Sequence, residues 1–559
     1  MNKQPLNDYP RPQFFRYSYK SLNGYWDYKI SKNPEIPSDF DGKILVPYSP
    51  ETKLSEVNHI LQPDEYLFYR LKFSLYDFQV KDKVLLHFLA VDQIAEVYLN
   101  GHYLGKHVGG FLPFSFEIKQ YIKEENELIV KVQDFTDTSY HSRGKQKLEH
   151  GGIWYTPQSG IYFPVFLESV PRDYVESIRI TPDIDNEEII LNVKSSVDDV
   201  SVNVFDKTKQ IPTNTDVHIK VDKMHLWSPE DPYLYTLKIS TLHDEVFSYF
   251  AMRKFSLVKD ENGITRLGLN NKPYFMKGVL DQGYYHDGLL TPSSYDSYVK
   301  DVKFVKSLGF NMIRKHIKIE IPRWYYECDK QGIIVWQDFV NGGEKYKIPT
   351  IVFPLIFGNH HNDHNYKMFS RQNEQGRKEI IQEFKDTIDY LYNIPSVGLW
   401  TIFNEGWGQF DSKEIYSELV KLDNTRLYDH ASGWHDQGVS DVKSYHVYFK
   451  PFKIKKSKNL QERAIILSEF GGFVLAMPGH MMEGNHVYKS FKTKEEWLAK
   501  YKKTIQQDVI ENIPNGLSAI VYTQLSDVEE ELNGFITFDR EVEKVDPEEI
   551  KKINNKIKL

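Results

Sequence analysis

Two glutamates close apolar runs of strand length, Val397-Gly398-Leu399-Trp400-Thr401-Ile402-Phe403-Asn404-Glu405-Gly406 and Ala464-Ile465-Ile466-Leu467-Ser468-Glu469-Phe470-Gly471-Gly472. Each carboxylate would stand at the C-terminal tip of a strand. Paired carboxylates across a cleft are what glycoside hydrolysis needs, one to protonate the leaving oxygen and one to attack the sugar or activate water. A lone strand-end glutamate is more often a cap or half of an ion pair. The chemistry therefore depends on whether the two tips share a cavity.

The surrounding pattern predicts that they do. After Asn270-Asn271-Lys272-Pro273, strand-like runs alternate with amphipathic helical stretches, the signature of parallel βα units. Candidate strands cover 274–279, 311–314, 333–337, 397–403, 425–430, 442–447, 464–468 and 517–523. Helix candidates lie between them at 294–308, 322–331, 372–392, 412–422 and 493–511. Eight strands in this frame predict a (β/α)8 TIM barrel, whose chemistry is built at the C-terminal strand ends. Glu405 then follows the fourth strand and Glu469 the seventh, across one mouth. The compact spacing between them predicts short helices after strands four to six.

Ahead of the barrel the sequence reads as antiparallel β. Short aromatic and β-branched runs alternate with turn residues up to about residue 172, and Asn100-Gly101 between two of them is a strong hairpin signal. This predicts a jelly-roll β-sandwich over 1–172. A second set of short strands over 173–258, broken by Trp227-Ser228-Pro229-Glu230-Asp231-Pro232, suits an immunoglobulin-like β-sandwich. The barrel would occupy 259–559.

Composition limits the partners. The 559 residues carry 70 Lys+Arg against 78 Asp+Glu, a formal charge of −8, which argues against nucleic acid or a membrane held by bulk electrostatics. A small carbohydrate is the expected partner, with no cofactor and no metal. The single cysteine, Cys328, excludes an intrachain disulfide and reads as a buried apolar residue. The first residues lack the apolar core of a signal peptide, so a cytoplasmic location is expected.

At this point the chain resembles glycoside hydrolase family 2, which holds β-galactosidases, β-glucuronidases and β-mannosidases, in domain order and motifs. Ser159-Gly160-Ile161-Tyr162 would close the first domain, and Leu226-Trp227-Ser228-Pro229-Glu230-Asp231-Pro232-Tyr233-Leu234-Tyr235 lies in the second. Asn311-Met312-Ile313-Arg314-Lys315-His316 falls on the second barrel strand. Asn404-Glu405 resembles the acid/base site of the family and Ser468-Glu469-Phe470-Gly471 its nucleophile site. The resemblance implies a retaining exo-β-glycosidase, most of all a β-galactosidase, with Glu469 as nucleophile, Glu405 as acid/base and Asn404 on the sugar 2-hydroxyl. It also allows a homo-oligomer.

The resemblance has gaps. β-Glucuronidases hold the sugar carboxylate with an Asn-x-Lys element after the last strand, where this chain reads Glu531-Leu532-Asn533-Gly534-Phe535-Ile536-Thr537 with no lysine. β-Galactosidases present an aspartate where this chain has Trp154-Tyr155-Thr156-Pro157-Gln158, and no Glu-x-His magnesium element occurs. β-Mannosidase, β-glucuronidase or α-L-arabinopyranosidase specificity, an inverting mechanism, and an inactive sugar-binding protein are the alternatives.

Other strand tips supply a candidate substrate rim. Arg314 and His316 end the second strand and Asp338 the third; Asp281 and Gln282 follow the first, Trp434 the fifth, His446 and Tyr448 the sixth, and Gln524 and Asp527 the eighth. Trp407 or Phe470 could stack on a sugar face. Asn359-His360-His361-Asn362-Asp363-His364 resembles a metal cluster but reads better as a lid, and the lysines at 450, 453, 455, 456 and 458 read as a solvated loop.

Overall fold

The computed structural model describes residues 4–205, 207–358, 360–454, 462–482 and 488–559. Asn359, Lys455, Lys456 and Lys458 lie outside the described residues, while Lys450 and Lys453 are exposed.

The N-terminal domain is two antiparallel sheets around one apolar core. The larger has six strands and the smaller four, with Glu125–Gln133 central in the first and Val165–Val170 and Lys83–Phe88 paired in the second. Glu125–Gln133 buries alternate residues, Asn126, Leu128, Val130 and Val132, as the period-two pattern requires. The Asn100-Gly101 hairpin forms between Ile94–Leu99 and His102–Val108, with φ of +52° and +84° at its two central residues, which a two-residue primed turn requires. The second domain packs a three-stranded sheet on a four-stranded one around Val193, Val202, Leu237, Ile239 and Val246.

The C-terminal domain is the barrel. Its strands are β1 (Met276–Asp281), β2 (Met312–Lys315), β3 (Ile334–Asp338), β4 (Val397–Thr401), β5 (Leu427–Asp429), β6 (Val442–Val447), β7 (Ala464–Gly471) and β8 (Leu517–Thr523). They pair in parallel in the order β5-β4-β3-β2-β1-β8-β7-β6. The β5–β6 seam is joined instead through Asp441, whose N–H donates to Tyr428 O and whose carboxylate accepts from Tyr428 N–H. Around the barrel run α1 (Tyr295–Ser307), α2 (Pro322–Gln331), α3 (Glu374–Leu391), α4 (Ser412–Leu422) and α5 (Lys494–Thr504). Their ends follow local rules. Pro322 begins α2 and Gly332, at φ +71°, ends it; the Asn373 and Thr493 side chains cap α3 and α5. Residues 430–441, between β5 and β6, form no helix, and the helix after β4 has 11 residues, in keeping with the short spacing.

Two features that position the mouth had no clear sequence signal. An antiparallel ribbon of Phe255–Lys259 and Thr265–Leu269 sits below the barrel, and Phe255, Leu267, Leu269 and Trp227 join Met276, Met312, Trp336, Leu399, Ile466 and Val521 in one core. Trp227 is fully buried and its indole N–H donates to Asp329 O, fixing the second domain against the barrel floor. The long connection between β3 and α3 contains two short helices, Ile348–Ile351 and Phe353–Phe357, rather than bare loop.

Candidate active site

Strand parity decides which side chains enter the mouth. On β2, Met312 faces the inner core and Ile313 the helix layer, so Arg314 points inward and Lys315 outward. Arg314 is fully buried and uses all its donors. Nε meets both Asp338 oxygens at 3.0 and 3.1 Å, Nη1 reaches Ser468 O and Glu469 Oε1 at 3.1 Å each, and Nη2 reaches Asn404 Oδ1 at 2.8 Å. Arg314 therefore ties the tips of β3, β4 and β7 together and has no donor left for a sugar. Asp338 receives both Arg314 and His316 Nδ1, the latter at 2.6 Å, so it orients these groups and does not face a ligand. Burial is the main reason that His316 falls to about 4 and stays neutral.

The same parity moves Asp281 out of the expected rim. Met276 and Leu280 of β1 face the inner core, so Asp281, one residue on, faces the helix layer. There it binds Lys315 Nζ at 2.6 Å and accepts from Gly283 N–H at 2.8 Å. Strict alternation along β7 would also send Glu469 outward, since Ile466 lies in the inner core and Leu467 in the outer one. A register shift prevents this: Leu467 pairs with Tyr445 of β6, Ser468 is skipped, and Glu469 pairs with His446. Such an irregularity re-aims a side chain, here into the mouth.

Glu405 lies past β4 in a tight turn. Its N–H donates to Ser432 O, its carbonyl accepts the Trp434 indole at 3.0 Å, and Trp407 N–H returns to Asn404 O. Its φ is +48°, and Gly406 follows at +73°, where a Cβ would lie 2.6 Å from His435. The glycine is what lets the turn pass.

The two carboxylates meet around His446. His446 Nδ1 lies 2.7 Å from Glu405 Oε1 and 3.5 Å from Glu469 Oε2, and an oxygen of each glutamate falls within 4.8 Å of the other. Their environments differ. Burial raises Glu405, His446 lowers it, and the charge of Glu469 raises it further, leaving it above the ordinary carboxylate value. Burial also acts on Glu469, but His446, Arg314 and the Tyr448 hydroxyl outweigh it and hold Glu469 below that value. Opposite shifts on two neighbouring carboxyls are what a site that divides proton donation from nucleophilic attack requires.

The remaining rim residues divide in the same way. Tyr448 donates to Glu469 and Trp407 packs against His316, so both border the pair. Asn404 keeps its Nδ2 buried and without a partner while Arg314 occupies its oxygen. Gln524 bonds Gln282 and Asn533 at 2.8 Å each, and Asp527 is taken by Lys544 at 2.5 Å. Phe470 packs edge-on against Tyr522 in the outer core, away from a stacking role. His360 Nδ1 accepts from His435 N–H and His364 pairs with Asp411, so the histidine-rich segment divides its side chains between separate partners. Cys328 is buried in α2.

Sequence reasoning missed Lys145, Tyr155, Tyr488 and Glu531. Lys145 and Tyr155 come from the first domain, yet Lys145 Nζ lies 3.6 Å from Glu531 and 5.8 Å from the Trp407 ring centre. For Tyr155 and Glu531 the signal was present in the two stretches where this chain departs from family patterns, 154–158 and 531–537; Lys145 and Tyr488 lie outside both.

Fold and site together define a three-domain, barrel-centred protein with a buried carboxylate pair on the tips of strands four and seven. Family models agree: residues 259–559 match the glycosyl hydrolases family 2 TIM barrel domain, 173–253 the central glycosyl hydrolases family 2 domain, and 47–159 the glycosyl hydrolase 2 galactose-binding domain-like module. The chain belongs to glycosyl hydrolase family 2. It is 26% identical over 344 residues, 57% of its length and 37% of the relative's, to a putative beta-glucuronidase of Formosa agariphila. It is 25% identical over 425 residues, 70% of its length and 53% of the relative's, to a beta-galactosidase of Thermoanaerobacter pseudethanolicus. The chain thus spans about half or less of these two curated relatives. A GH2 beta-galacturonidase of Eisenbergiella tayi shares the fold at a TM-score of 0.72 and 18% identity, covering 98% of this chain and 99% of that one.

Proposed function

We propose that this protein is a retaining exo-β-glycosidase, β-galactosidase-like in its glycone, with Glu469 as nucleophile and Glu405 as acid/base. The observation that carries this reading is the approach of the two carboxylates within 4.8 Å, with Glu405 raised and Glu469 lowered. Retaining enzymes hold the pair about 5–5.5 Å apart, whereas inverting ones leave about 6.5–9.5 Å for water. Glu469, ionised and held by Arg314 and Tyr448, attacks the anomeric carbon while the Glu405 proton passes to the leaving oxygen. Ester formation removes the charge on Glu469, the affinity of Glu405 for its proton falls, and Glu405 then accepts a proton from the attacking water. The free Asn404 Nδ2 is placed to bind the sugar 2-hydroxyl, a contact that strengthens toward the transition state.

Family membership and relatives called beta-galactosidase and beta-glucuronidase support a β-glycosidase. The test is a panel of nitrophenyl β-galactoside, β-glucuronide, β-mannoside and α-arabinopyranoside, with the anomer of the first product read by NMR. Release with retention, abolished in Glu469→Ala, is expected. Release with inversion, or an unchanged rate in Glu469→Ala, would defeat the assignment.

A further inference from the structure

Three consecutive glutamates after β8 clasp a loop of the first domain. Glu529 accepts from Thr156 N–H at 3.0 and 3.1 Å, Glu530 accepts from Gly152 N–H at 2.9 Å, and Glu531 accepts the Tyr155 hydroxyl. The clasp brings Lys145 into the barrel mouth. Its Nζ lies 3.4 Å from the Tyr155 hydroxyl and 3.6 Å from Glu531 Oε2.

Tyr488 relates this group to the carboxylate pair. Its ring packs against Tyr448, centroids 5.1 Å apart, and Tyr448 donates to Glu469, while burial followed by the charge of Glu531 raises the Tyr488 phenol well above its ordinary value. Lys145 Nζ lies 5.8 Å from the centre of the Trp407 ring, two residues beyond Glu405. Lys145 and Glu531 thus form the pocket wall facing the pair, one ion from each domain. Glu531 Oε1 is buried with no donor, a costly state for a carboxylate oxygen unless a ligand supplies one. An ammonium beside an open carboxylate oxygen matches neighbouring hydroxyls, each of which both accepts and donates. A sugar carboxylate in the same place would meet Glu531 as a like charge.

We propose that Lys145 and Glu531 are specificity-determining residues that bind adjacent hydroxyls of a neutral glycone and reject a uronate. This rests on reading Glu405 and Glu469 as the hydrolytic pair. The test compares kcat/KM of the full chain on nitrophenyl β-galactoside, β-glucoside and β-mannoside with that on the β-galacturonide and β-glucuronide. The best neutral substrate is expected to lead either uronide by about 100-fold or more, because a juxtaposed like charge discriminates strongly. Glu531→Gln, which keeps shape and removes charge, should shrink that ratio by about 10-fold or more, and Lys145→Met should lower kcat/KM on the neutral sugar by about 100-fold. Circular dichroism separates lost folding from lost recognition, and if Lys145→Met does not fold, Glu531→Gln decides alone. Uronides turned over as well as neutral sugars, or a ratio that Glu531→Gln leaves within twofold, overturns the assignment while the hydrolase reading stands. Failure to turn over any glycoside overturns the hydrolase reading instead.

Discussion

Removing the Arg314 guanidinium should move the acid limb of the pH profile. Arg314 Nη1 lies 3.1 Å from Glu469 Oε1 with both groups buried, and the guanidinium is shared with Asp338. Unit charges about 4 Å apart at an effective dielectric of about 20 attract by about 4 kcal/mol, and about 1.4 kcal/mol corresponds to one pK unit. Since Asp338 competes for the same cation, Arg314→Met should raise the pKa of Glu469 by about 1–3 units. The sign follows from the present state. Glu469 titrates below the ordinary carboxylate value partly because of Arg314, so losing Arg314 lets it protonate at higher pH. The assay is kcat/KM against pH on a dinitrophenyl glycoside, whose leaving group needs little protonation, so that the acid limb reports the nucleophile. An acid limb displaced upward is expected, together with a loss of about 3–5 kcal/mol in stability from the uncompensated Asp338 and Glu469 charges. A limb that stays within about 0.3 units, in a variant that remains folded, would refute the claim that Arg314 sets the ionisation of Glu469.

Two further outcomes are expected. Glu405→Ala should lower kcat/KM by about 100- to 10,000-fold on a methyl or nitrophenyl glycoside and far less on a dinitrophenyl one, with azide restoring turnover and giving a glycosyl azide; equal losses on both substrates would contradict the acid/base role. Asp329, buried and raised to about 6, favours folding below the ordinary carboxylate value of 3.8, and that contribution is lost as pH rises to about 6. Asp329→Asn should therefore unfold like wild type near pH 4 and be more stable by about 2–3 kcal/mol at pH 7.5; thermal melts showing no gain at pH 7.5 would contradict it.

Much of the barrel was legible because its strands are continuous apolar runs with helical periods between them, the form that burial on both faces imposes. β6 and β8 match their expected ranges, and the others shift by a few residues at their ends. The pair Glu405 and Glu469 was legible because each follows such a run. Which tip residues face inward was not. Asp281 looked like a rim residue from its place at a strand end, but it falls on the odd side of the Met276–Leu280 alternation and pairs with Lys315. Glu469 enters the mouth only through a skipped pairing, a one-residue event with no compositional trace. Lys145 was hidden for a different reason: more than 250 residues separate it from Glu405, and only folding brings the first domain to the barrel mouth.

The clasp that Glu529, Glu530 and Glu531 make on the first domain has a further consequence. The carboxylate pair belongs to the barrel, whereas part of the wall facing it is lent by a domain with its own core. If Lys145 and Glu531 sort the sugar, preference is set jointly, by one ion from the first domain and one from the barrel, and exchanging residues 143–156 alone would change only half of that pair.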